Sequence, residues 1–123
     1  MNIKKNLNIA TILPYKENYT FTKASAASLW VSEFFKKSKY KKNNIIYGHT
    51  KLKDYLTKNY KNINLKNLKS KLKDCDGASI RIAKLPGETF EEAKNSKIIS
   101  RHGVGYDNID LKKAKEKDIK IAI

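Results

Sequence analysis

The chain has 123 residues, 40% hydrophobic and 32% charged, which is one domain's worth of a composition able to fold, and no apolar run approaches the ~18 residues that span a bilayer. A single cysteine, Cys75, excludes an internal disulfide framework and a cysteine-rich zinc site. The net charge of +15 points to a polyanionic partner, but lysine supplies 25 of the 27 basic residues, and two arginines are few for specific reading of nucleic acid.

In chain order, the basic start at Met1–Lys5 leads into the apolar run Ile9–Leu13, which Thr11 breaks and Pro14 stops. That run is shorter than the ~7–15 residues of a secretory h-region, so a cytoplasmic protein is expected. Its β-branched residues predict a buried strand over Asn8–Leu13. A polar and aromatic loop follows over Tyr15–Thr22. Lys23–Lys36 then predicts a helix with one apolar face, Ala24, Ala27, Trp30, Val31, Phe34 and Phe35 standing at helical spacing. Asn44–Tyr47 reads as a second strand. Thr50–Lys61 reads as a helix carrying Leu52, Tyr55, Leu56 and Tyr60 on one side. Leu65, Leu68 and Leu72 are spaced by three and four, which allows an amphipathic helix within Asn59–Lys73.

Ala78–Ala83 is the next predicted strand, and the turn Leu85-Pro86-Gly87 leads to a helix over Glu88–Lys94. Lys97–Ser100 is a β-rich run and Gly103–Asn108 a glycine loop. Asp110 is the expected N-cap of a helix over Leu111–Lys117, and Lys120–Ile123 is a last β-like run. Strands alternating with helices predict an α/β fold: a flavodoxin-like or Rossmann-like parallel sheet with flanking helices. Because the last β-like run reaches the final residue, the sheet is expected to be incomplete.

The charge divides the chain. Residues 1–72 hold 16 lysines against 3 acids, net +13, whereas residues 73–123 carry net +2 and four of the five glycines. Two segments are therefore expected, 1–72 and 73–123. Twelve asparagines accompany the lysines. Lysine and asparagine rise together in A/T-rich coding sequence, so the basic character need not signify a ligand.

The stretch from Ile98 to Asp110 is the most informative. Gly103 and Gly105, one residue apart, let backbone approach a ligand and turn N–H groups toward an anion. A dinucleotide fingerprint needs a third glycine where Asn108 stands, so that motif fails. Taken whole, residues 77–123, with Ser100-Arg101-His102-Gly103-Val104-Gly105-Tyr106-Asp107-Asn108-Ile109-Asp110 at their centre, closely resemble the D-isomer-specific 2-hydroxyacid dehydrogenases. They resemble the later part of that family's N-terminal substrate domain.

The resemblance implies oxidoreduction of the CH–OH group of small 2-hydroxy or 2-oxo acids with NAD or NADP, and family members commonly dimerise. It implies that the backbone of Val104 and Gly105 holds the substrate carboxylate. Arg81 matches a basic residue at the strand end that faces the substrate in some members, with a surface arginine the equal alternative. Leu85 and Pro86 border the cleft, with packing the favoured role, and His102 is a loop residue. The family's cofactor fingerprint and its catalytic arginine, glutamate and histidine have no counterpart in these residues, so the isolated chain is expected to be inactive. Cys75 sits between Asp74 and Asp76, acids that raise its pKa, and is expected to be inert.

Residues 9–64, from Ile-Ala-Thr-Ile-Leu-Pro-Tyr onward, look instead like the start of a bacterial glycosyltransferase, with Leu13–Thr22 as the loop near an acceptor. A glycosyltransferase N-terminal fragment is thus the alternative, and a fusion of two coding segments would explain the charge break. A lysine-rich anion binder without enzymatic activity is the third reading.

Overall fold

The computed structural model describes residues 7–14, 17–64, 67, 71–80, 87–93, 95–101, 107 and 109–122. The strands are β1 (Ile9–Ile12), β2 (Asn44–Gly48), β3 (Tyr60–Asn62), β4 (Gly77–Ile80), β5 (Ile98–Arg101) and β6 (Lys120–Ala122). The helices are α1 (Ala26–Lys37), α2 (Gly87–Glu92) and α3 (Leu111–Glu116). The strands form one sheet in the order β3-β2-β1-β4-β5-β6. Every pairing is parallel. This is the doubly wound Rossmann order, so the α/β expectation holds and the Rossmann-like of its two variants is the one formed.

Residues 1–72 and 73–123 contribute three strands each to this sheet, and they meet at its centre. Ile9–Ile12 pair with Gly77–Ile80 on one side and with Asn44–Tyr47 on the other. At the amino ends of the strands, Asn8 N donates to Asp76 Oδ2 and Asp76 N to Asn8 O, both at 2.8 Å.

The pleat sends alternate residues to two cores. Ala10, Ile12, Tyr47, Ala78, Ile80 and Ile99 join Phe90 of α2 and Ala114 of α3 on one face. Leu13, Tyr19, Ile46, Leu56 and Tyr60 form the other core, against which Val31 and Phe35 of α1 pack. Tyr19 stacks on Tyr60 with ring centroids 5.1 Å apart. The predicted N-cap at Asp110 is present: its carboxylate accepts from Lys113 N at 3.0 Å. Asp118, at φ 55°, takes the left-handed conformation just after α3.

Two sequence expectations fail here. Thr50–Lys61 is not a helix. Residues 49–59 form a loop that ends in β3, and β3 also replaces the start of the helix expected within Asn59–Lys73. The loop is pinned to the segment around Tyr19. Leu56 N donates to Tyr19 O, Phe21 N donates to Asp54 O, and the Asp54 carboxylate accepts from both the backbone and the hydroxyl of Thr22. Asn59 Nδ2 donates to Asn44 O, and Thr57 Oγ1 to Asn59 Oδ1. Short polar side chains thus offer the backbone partners that a helix would have needed, and the sheet takes Tyr60.

The second failure concerns part of the apolar face of α1: Ala27 is buried and Val31 and Phe35 pack on the core, but the rest does not. Trp30 and Phe34 are 51% and 56% exposed, whereas Ser28 and Ser32 are 0% and 2% exposed. The two serines thus take buried positions on the helix. Their hydroxyls are satisfied within the helix and its cap: Ser32 Oγ donates to Leu29 O, and Ser25 Oγ to Ser28 Oγ. Burying them therefore costs little.

Candidate functional site

In an open parallel α/β sheet, ligands bind outside the carboxyl ends of the strands, where the strand order reverses. Here that switch point lies between β1 and β4. A cleft of about 130 Å³ opens there. β1 supplies its end and the following Leu13 and Pro14; β4 supplies Ser79 and Ile80; α1 supplies Ala27, Trp30 and Val31. Trp30 lines the cleft while half exposed, on the same helix whose Ser28 and Ser32 are buried. Trp30 also stacks on Phe34 at 5.3 Å.

Among the described residues that line the cleft there is no ionisable side chain. Its hydroxyls are Thr11 and Ser79, register partners on β1 and β4. Thr11 Oγ1 donates to Asn44 Oδ1 at 3.0 Å. The described lining can therefore enclose and orient a small ligand, but it offers no acid or base to move a proton.

A larger cavity, about 400 Å³, opens beside the amino ends of β1 and β2, lined in part by Lys42, Lys71, Asp74 and Cys75. It is the roomier of the two, yet it lies at the wrong edge of the sheet for a switch-point ligand, and its lining mixes lysines with the carboxylate of Asp74. Cys75 is buried, and its thiol donates to Lys71 O at 2.9 Å. Burial first, and then Asp74 and Asp76, push its pKa up to about 11. The expected inertness of Cys75 thus has the expected cause in its acidic neighbours, with desolvation the larger one. Burial likewise raises the pKa of Tyr47, another residue lining this cavity.

The residues singled out from the sequence, Arg81, Val104 and Gly105, lie outside the described residues, as do Leu85, Pro86 and His102. In sequence, Arg81 follows Ile80, the last residue of β4, and Val104 and Gly105 lie three and four residues beyond Arg101, the last of β5. β4 and β5 are parallel neighbours and end at the same edge, with Ile80 opposite Arg101. The cleft walls at Trp30 and Val31 were not among the expected site residues, and Leu13 and Pro14 entered only through the unsupported glycosyltransferase resemblance, as the start of a loop near an acceptor. Pro14 otherwise read as a strand stop and Trp30 as part of an apolar helix face. The signal that finds them is the strand order, which no local pattern carries.

No helix among the described residues is long and apolar enough to cross a membrane. Among them, too, no group of three or more histidine, cysteine, aspartate or glutamate side chains could hold a metal ion.

The architecture is thus that of an α/β protein with a Rossmann-like sheet and a small cleft at its switch point. Residues 34–123 match the family described as D-isomer specific 2-hydroxyacid dehydrogenase, catalytic domain, and the chain belongs to that family. The match begins well upstream of residue 77, where the sequence resemblance was placed.

The hydroxypyruvate reductase of Thermotoga maritima is 55% identical over 38 residues, which are 31% of this chain and 12% of that protein. The glyoxylate reductase of Korarchaeum cryptofilum is 40% identical over 50 residues, 40% of this chain and 15% of that protein. Among solved structures, the NAD+-bound 3-phosphoglycerate dehydrogenase of Entamoeba histolytica superposes with a TM-score of 0.57 at 20% identity. That likeness covers 93% of this chain and 32% of that one. The NAD-dependent formate dehydrogenase of Staphylococcus aureus gives 0.57 at 19% identity, over 94% of this chain and 30% of that one. These likenesses show the fold, and the chain spans about a third of the length of each structure.

These findings give the glycosyltransferase resemblance of residues 9–64 no support. The family match starts inside that segment, at residue 34. β1 and β2, from the same segment, are central strands of the sheet shared with β4.

Proposed function

We propose that this chain is the substrate-holding part of an NAD- or NADP-dependent oxidoreductase that acts on the CH–OH group of small 2-hydroxy acids. The observation that carries this reading is the family match across residues 34–123, which includes β2, β4 and β5 and, in sequence, Val104 and Gly105. The names of the two curated relatives, both reductases, support a 2-oxo acid as the partner substrate.

In this reading the cleft between β1 and β4 encloses the body of the substrate. Its carboxylate needs a cation or backbone amides, which the uncharged described lining does not supply. Arg81, next in the chain after β4, is the cation, and the backbone N–H groups of Val104 and Gly105 complete the carboxylate site. The division into 1–72 and 73–123 is then a change of composition within one sheet. The expected setting is cytoplasmic, with a homodimer of the whole enzyme and no specific nucleic-acid partner.

A dinucleotide does not fit the described residues. The turn after β1 is Leu13-Pro14, where a Rossmann cofactor site needs glycine for close approach of the pyrophosphate. The cleft, at about 130 Å³, falls well short of the roughly 300–1,000 Å³ usual for such ligands. The cofactor therefore belongs to residues other than these.

The test is equilibrium binding of D-lactate and pyruvate to the purified chain, with and without Arg81→Gln. Loss of a charge-assisted, bidentate contact is expected to weaken binding about 10- to 100-fold, with the thermal melt unchanged. Equal affinity in both proteins removes Arg81 from the site.

A further inference from the structure

The chemistry of the cleft is more selective than the proposed substrate class. Leu13, Pro14, Ala27, Trp30, Val31 and Ile80 make its described lining almost wholly apolar. Of its two hydroxyls, Thr11 Oγ1 already donates its proton to Asn44 Oδ1. A hydroxymethyl or phosphorylated side chain placed here loses water and finds few partners. An alkyl or aryl group loses nothing polar and gains contact. The volume, about 130 Å³, is close to the roughly 150 Å³ of an aliphatic-lined cavity that holds a benzene ring.

The geometry points to a side-chain pocket: the cleft between β1, β4 and α1 takes the apolar side chain of a 2-hydroxy or 2-oxo acid, from ethyl up to isobutyl or phenyl in size. The inference rests on the proposed function for the acid's identity, and on the cleft alone for its side chain. Trp30 forms part of the wall against this group. Acids with no side chain, or with a polar one, leave the pocket unfilled.

Trp30 is the only tryptophan of the chain, so its fluorescence reports on the cleft. The purified 123-residue chain is titrated with glycolate, D-lactate, D-2-hydroxybutyrate and D-2-hydroxyisocaproate. Affinity is expected to rise about fourfold for each added carbon that the cleft buries. Ala26 lines the cleft yet is solvent-exposed, so Ala26→Leu narrows the cleft without crowding the core. In that variant the gain for 2-hydroxyisocaproate is expected to disappear, while glycolate binds as before.

Equal affinity along the series overturns the side-chain pocket and leaves the 2-hydroxyacid reading standing. A parallel series from ethanol to isoamyl alcohol tests the other half. Alcohols that bind as tightly as the matching acids overturn the 2-hydroxyacid reading and leave an apolar site. Absence of any Trp30 response to the acids, with binding detected by calorimetry, overturns the placement of the pocket at this cleft.

Discussion

Replacing Phe90 with alanine is expected to cost about 3–5 kcal/mol, the range for truncating a buried aromatic ring. Phe90 is 1% exposed and belongs to the core beneath α2, with Ile80, Ile99 and Ala114. A domain of this size is stable by only about 5–15 kcal/mol, so much of its stability would go. Urea unfolding followed by circular dichroism reads the change as a lower midpoint with an unaltered slope. A loss below about 1 kcal/mol would show that α2 does not seat Phe90 in this core. The surface links between the same helices contribute far less. Glu91 meets Lys113 and Lys117 across α2 and α3, and their ammonium groups hold its carboxyl down at about 2. These are exposed pairs, screened by salt.

The second large effect is expected at α1. Ser28→Leu places a branched side chain where a fully buried serine packs against the sheet, and overpacking of this kind costs about 1–3 kcal/mol. Because Ser28 sits behind the wall that carries Trp30, the variant should also shift the Trp30 emission by moving the helix. Phe34→Ser is the comparison. Phe34 is more than half exposed, and its replacement is expected to cost no more than about 1 kcal/mol. Periodicity alone predicts the reverse order, with Phe34 in the core and Ser28 outside. Denaturation of the two variants under one condition therefore decides which face α1 buries.

That reversal shows where sequence reading stops. The strands at Ile9–Ile12, Asn44–Gly48 and Ile98–Arg101 were readable because short β-branched runs bounded by turn residues have few other uses in a parallel sheet. The cap at Asp110 was readable because its interaction is local, within one turn. The face of α1 was not. Its apolar residues cover more than one side, and the buried positions go to Ser28 and Ser32 as well as to Ala27. The loop over residues 49–59 was misread for a related reason. Leu52, Tyr55, Leu56 and Tyr60 have helical spacing, but their partners lie about 35 residues earlier, at Tyr19–Thr22.

The candidate site divides in the same way. Arg81, Val104 and Gly105 came from a motif, which is local. The cleft came from strand order, which brings Leu13 of one segment beside Ile80 of the other and is a property of the whole sheet.

The central claim is that these residues hold a 2-hydroxy acid and do not hold the nicotinamide cofactor. The most direct measurement is titration of the purified chain with NADH, followed by nicotinamide fluorescence, together with an assay of NADH oxidation against a panel of 2-oxo acids. The account predicts that the acids bind, that NADH shows no saturable binding, and that no turnover follows the protein through purification. Saturable NADH binding, or turnover that copurifies with the chain, would contradict it and would require a cofactor site among these 123 residues.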